Sequence, residues 1–163
     1  MSQSRQNAEF RQALHDLYAE LDAEIRKRGP VCELSGRCCR FREYGHTLFL
    51  SEPEAHVLVG EAPPASRAID DGATCPWQDP AGRCTAREAR PLGCRIYYCD
   101  PSFAEPATEL SEVFIGKLKE LVDKFDLPWN YAPLHRHLHV LSDQIVGVGS
   151  DAPIPFENAK ASS

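Results

Sequence analysis

The chain has 163 residues, 42% hydrophobic and 26% charged, a balance that excludes global disorder and suits one domain with a real core. A formal net charge of −6 argues against a nucleic-acid binder that relies on a general basic surface. No apolar run approaches the length needed to span a bilayer, so no membrane partner is expected.

The opening stretch, MSQSRQNAEFRQALHDLYAELDAEIRKRG, lacks the apolar core of a secretory signal. Phe10, Leu14, Leu17, Leu21 and Ile25 recur at helical spacing, which predicts an amphipathic helix over 8–28 that stops at Gly29-Pro30. With no export signal, the expected location is the cytoplasm, where thiols stay reduced. A cysteine-rich head follows, then HTLFLS as a short strand. Ser51 with Glu54 three residues on predicts a capping box opening a helix over SEPEAHVLVG. Residues 60–74 read as a loop carrying two prolines and an acidic turn.

In CPWQDPAGRC, Asp79-Pro80-Ala81-Gly82 predicts a tight reversal. Thr85 and Glu88 predict a second capping box, limited by Pro91 to about one turn. CRIYYC has the β-branched and aromatic residues of a strand. Leu110, Val113, Phe114, Leu118, Leu121, Val122 and Phe125 trace a second amphipathic helix over 108–125. LPWNYAP breaks it, LHRHLHVLSD forms a last short helix, and 151–163 is a flexible tail. The expected fold is mostly α with an irregular cysteine-rich core and few short strands. It is a small α+β metal-binding domain over 1–150, its core at 30–100 between the two long helices.

Seven cysteines give that core its character: Cys32, Cys38, Cys39, Cys75, Cys84, Cys94 and Cys99. Three readings compete. Buried structural thiols suit one or two cysteines better than a cluster flanked by Gly, Pro and Arg. A disulfide framework conflicts with the odd count and a reducing compartment; a transient redox pair stays open, but the Cys-x-x-Cys spacing that favours a thioredoxin-like dithiol is absent. Metal ligation agrees best. Thiolates are soft donors for zinc, iron–sulfur clusters or copper(I), and a metal would clip the long loop from Cys39 to Cys75.

The spacings are those of neither a zinc finger nor a ferredoxin, so they leave the metal open. Adjacent residues of an extended segment point to opposite sides, so Cys38 and Cys39 suit two metals or a cluster with accessory thiols. Two thiols adjacent in the backbone would be strained on one tetrahedral ion, which favours an iron–sulfur cluster over two zincs. Two four-ligand zinc sites would need an eighth donor, for which His46 is the candidate. The alternative for His46 is a histidine hydrogen-bonded at a strand start. His135 and His139 would share a helix face as partly exposed surface residues. Arg40, Arg42, Arg90 and Arg95 sit beside cysteines, where they either lower thiol pKa or serve as ordinary surface charge. Trp77, Trp129, Tyr97 and Tyr98 read as packing residues.

From Cys32 to Cys99 the chain resembles the YkgJ-type cysteine-cluster family of zinc- or iron-chelating domains. The head is Cys32, Gly36, Cys38 and Cys39, and the middle is Cys75-Pro76, Gly82 and Cys84. The close is Arg90-Pro91, Cys94-Arg95, Tyr97 and Cys99, in the form RP-x-x-C-R-x-(Y/F)-x-C. Ser35 stands where the family commonly has a second head cysteine, and it is expected not to be a ligand. The resemblance implies a metal-binding protein, its cofactor zinc or an iron–sulfur cluster, with no established reaction. Some proteins that resemble the family are methyl-transfer enzymes. That keeps open an iron–sulfur enzyme or redox protein, including one that uses S-adenosylmethionine, and a thiol redox sensor is a third alternative. An enzyme would need a polar pocket lined by groups other than cysteine, with Tyr44, His46 and Arg95 as candidates. A protein partner or substrate is expected, its identity not legible in the sequence.

Overall fold

The computed structural model describes residues 2–30, 39–43, 45–98 and 100–142, and helices account for most of them. Cys32, Ser35, Gly36, Cys38, Tyr44, Cys99 and the tail expected over 151–163 lie outside the described residues.

Helix α1 spans Gln3–Arg28 and begins earlier than the apolar spacing predicts, because Ser2 caps it by accepting the Arg5 N–H. It stops where predicted. Gly29 takes a left-handed conformation, φ 61°, and its N–H reaches the Ile25 carbonyl. The predicted stripe is buried, with Tyr18 added and Leu17 only partly covered. A second long helix, α4 (Ala104–Lys124), the fourth along the chain, lies against it and buries Leu110, Phe114, Leu118 and Val122. Its early start follows from the 3₁₀ turn Pro101–Phe103 and from Pro106, which falls in the first turn where a missing N–H is harmless.

Strand β1 (Phe49–Leu50) pairs antiparallel with β2 (Ala132–Pro133), Leu50 opposite Ala132. Between β1 and the loop that follows lies α2 (Glu52–Glu61), opened by the predicted Ser51–Glu54 capping box. Helix α5 (Leu134–Val140) continues directly from β2.

Two local expectations are overturned. Most of CRIYYC is not a strand: residues Leu92–Ile96 form a short helix, α3, that includes Cys94. Pro91 stands at its N-cap, and the buried Glu54 carboxylate accepts the Leu92 N–H at 2.8 Å, so tertiary contacts override the β-branched composition. The close fit also needs Gly93, where a Cβ would lie 2.8 Å from Leu48 Cδ1. Nor do Thr85 and Glu88 form a capping box. The Thr85 hydroxyl donates to the Trp77 carbonyl at 2.8 Å, and Arg87–Ala89 is a 3₁₀ turn with no side-chain cap.

Two apolar clusters form the core. One joins α1, α3 and α4 through residues such as Leu14, Leu21, Ile96, Phe114 and Leu118. The other gathers Leu48, Leu50, Trp77, Leu134 and Leu138 around the cysteine-bearing loops. Helix α2 faces both, giving Val57 to the first and Ala55, Leu58 and Val59 to the second. Among the described residues no helix is long and apolar enough to cross a membrane.

Candidate metal centre

Cys39 is far in sequence from Cys75, Cys84 and Cys94, yet all four belong to or pack against the second cluster. Cys39 and Cys75 are buried, and Cys84 and Cys94 are half-buried. The Cys75 N–H donates to the Cys39 carbonyl at 2.8 Å, so the long loop between them is closed at its two ends. From Cys75 the chain turns through Gln78 into the predicted reversal. There the Gly82 N–H reaches the Asp79 carbonyl at 2.9 Å, and Asp79 Oδ1 accepts the Arg83 N–H at 2.9 Å. An isolated antiparallel bridge between Gln78 and Cys84 then returns Cys84 beside the outgoing segment. Trp77 anchors the turn, fully buried with its indole N–H on the Pro63 carbonyl at 2.7 Å.

No disulfide joins these four described cysteines to one another. Among the described residues, no group of three or more His, Cys, Asp or Glu side chains is close enough to hold a metal ion. Cys32, Cys38 and Cys99 fall outside that comparison. In chemical type, thiols are soft donors that suit zinc or iron better than a hard cation.

How Cys94 is placed follows from a buried polar network. Arg95 is 6% exposed; it donates from Nη1 to Asp22 at 2.8 Å, from Nη2 to the Glu88 carbonyl at 2.8 Å and from Nε to the Arg90 carbonyl at 2.7 Å. Its guanidinium carbon lies 4.2 Å from the centre of the Tyr18 ring. On the far side of this contact, the Tyr18 hydroxyl donates to Glu54 at 2.7 Å. Glu54 also accepts the Ser51 hydroxyl and N–H at 3.2 and 3.3 Å. Burial pushes the Glu54 carboxyl above its ordinary value while these donors pull it back. Burial and then the neighbouring Glu54 charge push the Tyr18 hydroxyl well above its ordinary 10.

Arg95 is therefore a buried clamp that folds the Arg90–Cys94 segment back on itself, and it is not ordinary surface charge. The other arginines beside cysteines are engaged too. Arg90 Nε donates to the Arg87 carbonyl, Arg40 meets Glu43 at 3.4 Å and Arg42 pairs with Asp71.

His46 is anchored by its backbone N–H on the Phe41 carbonyl at 2.9 Å. Its ring stacks on Tyr97, centroids 4.4 Å apart and 14° between planes, with Phe41 edge-on at 5.1 Å. Together with Thr47, Asp71 and His135 it lines a cavity of about 330 Å³. Burial, then His139 and Arg136, hold the His135 imidazole below its ordinary pKa, which favours the neutral ring. His137, which sequence reasoning did not single out, is buried and bonds to the Leu50 carbonyl at 2.8 Å.

One wall of the cavity is the acidic turn, where Asp70 Oδ1 accepts the Gly72 and Ala73 N–H groups at 2.9 Å each. Gly72 has φ 99°, and a Cβ there would lie 2.7 Å from His135 Nδ1. Gly72→Ala is expected to lower stability by about 1–3 kcal/mol through backbone strain and displacement of His135. An unchanged denaturation midpoint would show that the turn relaxes freely. No protein-family model, curated protein or solved structure matches the chain.

Proposed function

We propose that this chain is a metal-binding protein of a reducing compartment such as the cytoplasm, its cysteine cluster chelating zinc or iron. The observation that carries this is that Cys39, Cys75, Cys84 and Cys94 all belong to or pack against one apolar cluster built mainly from loops. The resemblance to the YkgJ-type family supports the same reading. The residues that would hold the metal are Cys32, Cys38, Cys39, Cys75, Cys84, Cys94 and Cys99, with His46 as the candidate eighth donor. Zinc would supply loop closure alone; an iron–sulfur cluster would add one-electron chemistry.

Anaerobic purification with elemental analysis and an absorption spectrum on the same sample tests the proposal. Broad visible absorption bleached by dithionite, with iron and acid-labile sulfide in similar amounts, is the expected result. Colourless protein carrying zinc would reject the iron–sulfur choice and keep the metal site. Protein that retains no metal would overturn both. In the same assay Ser35→Ala should keep its metal, whereas Cys32→Ala, Cys38→Ala or Cys39→Ala should lose it. Equal loss in Ser35→Ala and Cys38→Ala would make Ser35 a ligand.

A second reading, an iron–sulfur enzyme or redox protein, is favoured by the cavity beside His46, whose polar lining comes from groups other than cysteine. Of the other sequence candidates, Arg95 is committed to its buried clamp. A change in the visible spectrum on adding S-adenosylmethionine would support this reading, and an unchanged spectrum would count against that cofactor.

A further inference from the structure

Arg42 lines a second, wider cleft of about 600 Å³, together with Arg40, Arg67, Glu43 and the turn from Gln78 to Gly82. We infer that this cleft binds a small oxyanion, a molecule bearing phosphate or carboxylate groups. The inference does not depend on the metal.

Three arginines line this cleft, against the two carboxylates of Glu43 and Asp79, on a chain of net charge −6. Like charges held together repel, so such a group is most stable with an anion among them. Of the three side chains, that of Arg67 is tethered within the lining. The backbone N–H of Arg42 donates to the Ala73 carbonyl at 3.1 Å, and its guanidinium pairs with Asp71 beside the cleft. Arg67 donates from its backbone to the Pro76 carbonyl at 3.2 Å and from Nε to the Gln78 carbonyl at 3.1 Å. Gln78 is itself buried, with its amide nitrogen on the Gly82 carbonyl at 3.1 Å. The Arg67 fork is thus set in place while, among the described residues, no side chain engages its terminal nitrogens.

Among the described residues, the carboxylates paired with Arg40 and Arg42 are weak competitors. Glu43 reaches Arg40 at only 3.4 Å, and the side chains of Glu43 and Asp71 are 57% and 79% exposed, so water screens both pairs. The remaining carboxylate of the lining, Asp79, accepts the Arg83 N–H. Planar guanidinium forks match phosphate and carboxylate oxygens in bidentate fashion, and the volume suits a small molecule. An occupant would sit beside the segments that carry Cys39 and Cys75.

The test is isothermal titration of the purified full chain with glycerol 3-phosphate and with glutarate, both weak chelators, against sodium chloride at matched ionic strength. Saturable binding of either probe, weakened at least tenfold in Arg67→Ala, is the expected result. The tighter probe tells phosphate from carboxylate recognition. Metal content is measured on the same samples: a chain that holds no metal and still binds the probe upholds the cleft while rejecting the metal proposal. Should Arg67→Ala fail to fold, the arginine Nε–H resonances of the wild-type chain replace it, and shifts in two or more of them on adding the tighter probe uphold the site. The inference is overturned by no saturable binding above chloride, by equal binding in Arg67→Ala, or by unmoved arginine resonances.

Discussion

If the cysteine cluster holds a metal as proposed, stripping the protein with a chelator is expected to lower its melting temperature by about 10 °C or more, and Cys94→Ser should approach the same loss. The reason lies in the segment between α2 and α3. Residues 62–91 contain, as regular structure, one 3₁₀ turn and the single Gln78–Cys84 bridge. Binding of a structural metal is folding free energy, about 10–16 kcal/mol for zinc in finger peptides. A quarter of that, about 3 kcal/mol, corresponds to roughly 10 °C in a domain of this size. The melted segment should also become the first site of proteolysis, with cuts mapping to 62–91. An apo-protein that melts and resists protease like the loaded one would remove the structural role of the cluster.

Glu54→Ala should destabilise the chain by about 4 kcal/mol, more than most point substitutions do. It strands the Tyr18 hydroxyl and the Leu92 N–H in the core, each unsatisfied donor costing about 1–3 kcal/mol, and it breaks the capping box as well. Metal content should fall with it, since Leu92 begins the helix that carries Cys94. Glu54→Gln keeps the volume and one carbonyl acceptor, so its cost should be smaller and its pH dependence informative.

The folded-state pKa of Glu54 is raised above its ordinary 4.5. The stabilisation linked to its proton is therefore complete below about pH 4.5 and lost as pH rises through the folded value. Wild-type stability minus that of Glu54→Gln should fall as pH rises above 4.5. Glu24, held low by Lys27 and Arg28, and Asp71, held low by Arg42, are common to both proteins and cancel. A flat difference across that range would show that burial does not govern this carboxyl.

What was legible in the sequence was local. The long helices announced themselves because each must bury an apolar stripe, and Gly29 and the Ser51–Glu54 box marked ends through short-range hydrogen bonds. The reversal at Asp79–Gly82 was legible for the same reason. Long-range pairings were not. Helix α3 was hidden because its composition favours a strand and its first N–H is satisfied by Glu54, 38 positions earlier. Arg95 looked like a neighbour of thiols, since nothing local indicates that Asp22, 73 positions away, waits for it. Glu54 was read only as a helix cap, yet its second oxygen takes the Tyr18 and Leu92 donors. A carboxylate inside an otherwise apolar helix face was the available signal.

The chain has two tryptophans, and the division of the core separates them: Trp77 lies in the cluster that the cysteines enter, and Trp129 packs against the helical one. Each half of the molecule thus carries its own fluorophore. In a chain bearing Trp129→Phe, the tryptophan emission comes from the thiol-bearing half alone. In one bearing Trp77→Phe, it comes from the helical half. Loosening of the loops and melting of the helices can then be followed as separate optical events within one fold.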